Sequence, residues 1–192
     1  MRITSLETLH ADGGRRAFDF VKVTTDDGLV GWSEYNETFG GSGLTALIRR
    51  LAPALVGKDP RAHEAHVALM QALRRTSAGG VVQQAIGAIE NALLDVKARA
   101  LGIPVYELLG GPVRDRIRLY WSHCGTYRVS WWQELPNLRI MEIDPETVPW
   151  QDDLVTPTPR IEAGHLLLPT GPGWGTEVDE AAVRAHPPRT AP

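Results

Sequence analysis

The sequence predicts an α+β domain: a three-stranded antiparallel meander, a helical bundle, and a C-terminal hairpin that completes it. Three observations carry this. Residues 1–35 alternate apolar and polar, the period of a half-buried strand. From Ser42 the apolar spacing becomes helical. Only 81 of the 192 residues follow Gly111, where the helical pattern stops.

The meander reads as Arg2–His10, Phe18–Thr25 and Leu29–Tyr35. "TTDDGLVG" joins the last two, and Asp-Gly is a strong hairpin signal. Leu44, Leu47, Ile48, Leu51 and Leu55 then share one helical face, with Pro53 kinking or ending the run. A second helix is expected from Asp59-Pro60, with Asp59 as N-cap, to about Arg75. The longest helix spans Val81–Ala100, closes on Gly102 and is blocked by Pro104. A short helix in "PVYELL" ends at Gly110-Gly111. Strand-like runs follow at 117–121 and 138–143. Next come a Pro-rich extended stretch, the hairpin "RIEAGHLLLPTGPGWGTEV" and a short helix capped by Asp179.

Composition narrows the function. Apolar residues are 43%, charged residues 22%, and the net charge is −3, which excludes a basic nucleic-acid or membrane footprint. The single cysteine, Cys124, allows no intrachain disulfide and suits a reducing cytoplasm. "MRITSLETLH" lacks the apolar core of a signal peptide. His63 and His66 in "HEAH" do not form the zinc motif H-E-x-x-H and are expected on a solvated helix face. Cys124 has no nucleophile motif around it.

"AIGAIENALLDVKARALGIPVYELLGG", residues 85–111, resembles the mandelate racemase and muconate-lactonizing branch of the enolase superfamily. The likeness rests on Asp95 and Lys97 on one helix, the Gly102-x-Pro104 break and the Leu-Leu-Gly-Gly stop. The meander and first helices fit that family's N-terminal capping domain. "NLRIMEID" resembles its last barrel strand, and "GHLLLPTGPGWGTEVDEAAVRAH" its C-terminal return to the cap. The wording of both ends is nearest to sugar-acid dehydratases.

The resemblance implies a cap plus a (β/α) barrel, and a barrel needs about 200–250 residues. The 81 residues after Gly111 cannot hold one. The expected organisation is a first cap segment at 1–112 and a second at 155–187. Between them, 113–154 is a remnant of the first and last barrel strands, with a deletion junction near 129–134. Residues 188–192 form a disordered tail. Two remnant strands would be marginal alone and would expose their edges, so self-association through those edges is expected.

Family members abstract the proton next to a carboxylate and hold the enolate on Mg²⁺. The resemblance implies a Lys-x-Lys strand, three strand-borne acids and a His-Asp pair, none of which can be placed in this sequence. No metal ligand, and no cofactor for this chain, is therefore expected; Mg²⁺ and a sugar-acid substrate belong to the full-length family. Glu142 in "RIMEID" matches a family glutamate that faces the substrate carboxylate. Tyr35 and Asn36 match a substrate-closing loop, and His123, with Cys124, Tyr127 and Arg128, follows the first barrel strand. Three functions compete: a truncated, inactive member of the family; an active lyase or isomerase whose barrel is supplied in trans or lost through a gene-model error; and a non-catalytic interaction module.

Overall fold

The computed structural model describes residues 1–14, 16–73, 79–121, 141–143 and 148–188; for 120–121 and 141–143 it describes the backbone alone. The meander comprises β1 (Ile3–Asp12), β2 (Ala17–Thr25) and β3 (Val30–Tyr35), antiparallel in that order. His10, Asp19 and Tyr35 lie in register across all three strands. The helices are α1 (Glu37–Gly40), α2 (Leu44–Leu51), α3 (His63–Ala72), α4 (Gly80–Leu101) and α5 (Val105–Leu108). Pro53 lies in a 3₁₀ turn, Ala52–Ala54, that ends α2. Gly102 caps α4 in the left-handed conformation, φ 68°.

One face of the meander buries Ile3, Val21 and Val23 against Leu44, Ile48, Ile86, Ile89, Leu93 and Val96 of α2 and α4. The approach of β3 to α4 is close enough to require glycine. A Cβ on Gly31 would fall 2.4 Å from Val96 Cγ2 and 2.5 Å from the Ala92 carbonyl oxygen. The other face buries Leu9, Ala11, Phe18, Phe20 and Trp32 against Leu154 and Val183.

The C-terminal part departs from the expectation. β4 (Arg116–Trp121) pairs in parallel with β5 (Met141–Ile143), register Leu119↔Met141. After β6 (Val155–Thr156) comes a hairpin of β7 (Ile161–Glu162) and β8 (His165–Leu167). That hairpin was expected to complete the cap. Instead β8 pairs with the free edge of β4, making a four-stranded sheet in the order β5-β4-β8-β7. A two-stranded ribbon leaves the backbone donors and acceptors of its outer edges unpaired, and the hairpin supplies partners for them on one side.

The C-terminal elements that return to the meander are instead β9 (Glu177–Val178), which pairs with β6, and α6 (Glu180–Ala185), which packs on β1. Val148, Trp150 and Leu154 join the core on the outer face of the meander, so the end of the 113–154 stretch is held from Val148 onward. The Trp150 indole stacks on His186 at 4.3 Å and donates to the Asp12 carbonyl at 2.8 Å. The junction at 129–134 and the tail beyond 188 lie outside the described residues.

Two local expectations change. α3 begins at His63, because the Asp59 carboxylate is engaged by the Arg61 amide at 3.0 Å and its guanidinium at 2.6 Å and caps a turn instead of the helix. His66 is buried and donates from Nε2 to the Asp59 carbonyl at 2.7 Å, so it faces inward, away from solvent.

Candidate functional site

Two polar centres stand out. The first joins the C-terminal segment to β3 and α4. Asp95 on α4 is fully buried. Its Oδ2 accepts from the Trp32 amide at 2.8 Å and from Arg99 Nε at 2.9 Å, and its Oδ1 accepts from the Trp174 amide at 2.8 Å. Burial pushes this carboxyl above the ordinary aspartate range, while those three donors pull it the other way. Arg99 also reaches Glu177 and, at 2.8 Å, the Thr176 carbonyl. Gly173 makes the approach feasible: its φ is +69°, and a Cβ there would fall 2.0 Å from Asp95 Oδ1. In the sequence Asp95 stood out only as part of the family resemblance, with no role attached to it.

The second lies at the end of the meander. His10 Nδ1 donates to Asp19 Oδ1 at 2.7 Å, and Asp19 Oδ2 accepts from the Glu37 amide at 2.9 Å. The Glu37 carboxylate accepts from the amides of Gly43 at 2.7 Å and Thr45 at 2.9 Å, and from the Thr45 hydroxyl. Burial opposes ionisation of Glu37, but these donors outweigh it and hold the group below its ordinary range. Since the Thr45 proton points to Glu37, the Tyr35 hydroxyl donates to Thr45 Oγ1, 2.7 Å away. Burial pushes the Tyr35 phenol far above its ordinary range, so it stays protonated. Sequence reasoning found neither His10 nor Asp19: as a matched cross-strand pair they carry no linear spacing signal.

The residues singled out by sequence are therefore dispersed. Tyr35 is a core residue tied to Thr45, and Asn36 caps α1, its Oδ1 accepting from the Phe39 amide at 2.9 Å. Glu142 sits on β5 opposite Tyr120 of β4. His123, Cys124, Tyr127 and Arg128 lie outside the described residues. Among the described residues no three His, Cys, Asp or Glu side chains are grouped to hold a metal ion. No described helix is long and apolar enough to cross a membrane.

Residues 5–110 match the model of the mandelate racemase / muconate lactonizing enzyme N-terminal domain. The chain belongs to this family. Residues 119–182 match the enolase C-terminal domain-like model. A D-galactonate dehydratase of Xanthomonas axonopodis pv. citri is 43% identical over 124 residues, 62% of this chain and 31% of that protein. This family member thus spans about a third of the curated relatives it matches.

Among solved structures, an enolase from Pantoea ananatis with bound D-gluconate and Mg covers 62% of the chain at 35% identity. The match takes in 29% of that protein, with a TM-score of 0.58. A candidate L-alanine-DL-glutamate epimerase from Burkholderia xenovorans strain LB400 matches differently. It has a TM-score of 0.88 and 25% identity over 99% of both chains, so the two are nearly equal in length. A second structure under the same name, at 98% and 97% coverage, is bound to magnesium and fumarate.

Proposed function

We propose that this chain is a barrel-depleted member of its family, descended from Mg²⁺-dependent enzymes that abstract the proton α to a sugar-acid carboxylate, and inactive in that reaction by itself. The observation that carries this is the direct pairing of β4 with β5. By resemblance these are the first and last strands of the barrel, and only residues 122–140 lie between them. Strands for Lys-x-Lys, three acidic ligands and a His-Asp pair have no sequence to form them. One remaining carboxyl, Glu142, without base or metal site, cannot supply acid–base catalysis. The D-galactonate dehydratase relatives support a sugar-acid ancestry. The test is turnover of galactonate, gluconate and galactarate by the purified chain with and without Mg²⁺.

A second reading is favoured by the Burkholderia xenovorans match, since a chain of the same extent was solved with magnesium and fumarate. On it, this chain retains binding of a dicarboxylate with a divalent cation but not the chemistry. Titration calorimetry with fumarate, with and without MgCl₂, separates the two: heat that requires both supports retained binding.

A further inference from the structure

We propose that the cleft bounded by β3, α4 and residues 174–178 is a binding site for one neutral pyranose ring. The cleft has a volume of about 270 Å³, and its lining includes Phe20, Trp32, Glu34, Asn91, Trp174 and Thr176. That volume is just below the about 300–1,000 Å³ of sites for drug-sized ligands, so it suits a ligand of a single ring. Trp174 is its built feature. The residue is 38% exposed, yet it is fixed at both ends. Its amide donates to Asp95 Oδ1 at 2.8 Å, and its indole Nε1 donates to the Trp32 carbonyl at 3.0 Å. A large apolar ring held rigid at the surface offers a stacking platform whose side-chain entropy is already lost. Phe20 and Trp32, both buried, supply the apolar floor.

The charges and hydrogen-bonding groups select the occupant. Glu34 is paired with Arg16 at 2.8 Å, and Lys22, whose ammonium lies 5.7 Å over the Trp32 ring, is paired with Glu180. An anion would meet the Glu34 carboxylate, and a cation drawn to the Trp32 ring would meet the Lys22 ammonium. A neutral ligand meets neither penalty. No hydrogen bond among the described residues engages the Asn91 amide or the Thr176 hydroxyl. A hydrocarbon would strip water from these groups and replace none of the bonds. A sugar hydroxyl both donates and accepts, which matches an amide and a hydroxyl that do the same. The C–H face of the pyranose, weakly positive, lies against the negative face of the Trp174 indole. The site is built on β2, β3, α4 and the C-terminal segment, so it is independent of the barrel strands and of the function proposed above.

The experiment is an NMR titration of the isotope-labelled full chain. The probes are the methyl glycosides of glucose, galactose and mannose, with sodium galactonate and tetramethylammonium chloride as charged counterparts. At least one glycoside should saturably shift the Trp174 indole N–H and the Asn91 side-chain amide, with a Kd of about 1–10 mM, within reach of a ligand this small. Galactonate and tetramethylammonium should bind more weakly. Asn91 is exposed on α4, so Asn91→Ala keeps the fold and should weaken the glycoside about five-fold, the worth of one hydrogen bond. No saturable shift from any of the three glycosides overturns the site, and the wild-type chain alone decides this. Galactonate or tetramethylammonium binding as tightly as the glycoside overturns its neutral character. An affinity that Asn91→Ala leaves unchanged places the sugar elsewhere and overturns the assignment.

Discussion

At the residue scale, Asp95 and Gly173 join segments 78 positions apart. Asp95→Asn removes a charge that burial disfavours, but it also turns an amide NH₂ toward a donor that the carboxylate satisfied. The expected outcome is a loss of about 1–3 kcal/mol in urea unfolding, the range for leaving a buried polar group unsatisfied. Gly173→Ala is expected to destabilise by at least 2 kcal/mol or so, because it combines a positive φ with a clash against Asp95. The two carboxyls of the centres titrate in opposite senses. Glu37 is held below its ordinary value of 4.5, so its contribution is present above that value and lost as pH falls through the folded value. Asp95 is held above its ordinary 3.8, so its contribution is present below that value and lost as pH rises through the folded value. Glu37→Gln should cost about 1 kcal/mol at neutral pH, allowing for its partial exposure, and flatten the acid limb of stability against pH. An acid limb unchanged by the variant would remove Glu37 from the account.

At the scale of elements, the two C-terminal pieces have separate duties. Val183 on α6 is buried in the second core cluster, whereas Leu166 on β8 is half-buried on the sheet with β4. Val183→Ala should therefore lower the melting temperature of the cap, at about 1–3 kcal/mol. Leu166→Ala should cost less, since the penalty for a lost methylene follows how completely it was buried. Equal losses would mean that the two sheets form one cooperative core. The meander, α2 and α4 were legible in the sequence because each buries one stripe of a regular period: Val21 and Val23 on a strand, Ile86, Ile89 and Leu93 on a helix. The fate of "HLLLP" was not. Its alternation marks a strand but not a partner, and β4 and the meander both offered an edge. His66 was misjudged for a similar reason: its inward orientation depends on a carbonyl at Asp59 that helical spacing does not reveal.

At the scale of the whole molecule, β6 pairs with β9, α6 packs on β1 of the meander, and β4 pairs in parallel with β5. The Burkholderia xenovorans match over 99% of both chains indicates that a polypeptide of this extent can adopt the arrangement. Isotope exchange at the α-carbon shows whether this arrangement performs α-proton abstraction. The purified chain would be incubated in D₂O with galactonate and Mg²⁺, and the α-proton followed by NMR. No loss of that signal beyond the rate without protein is expected. Mg²⁺-dependent exchange that disappears in Glu142→Gln would contradict it.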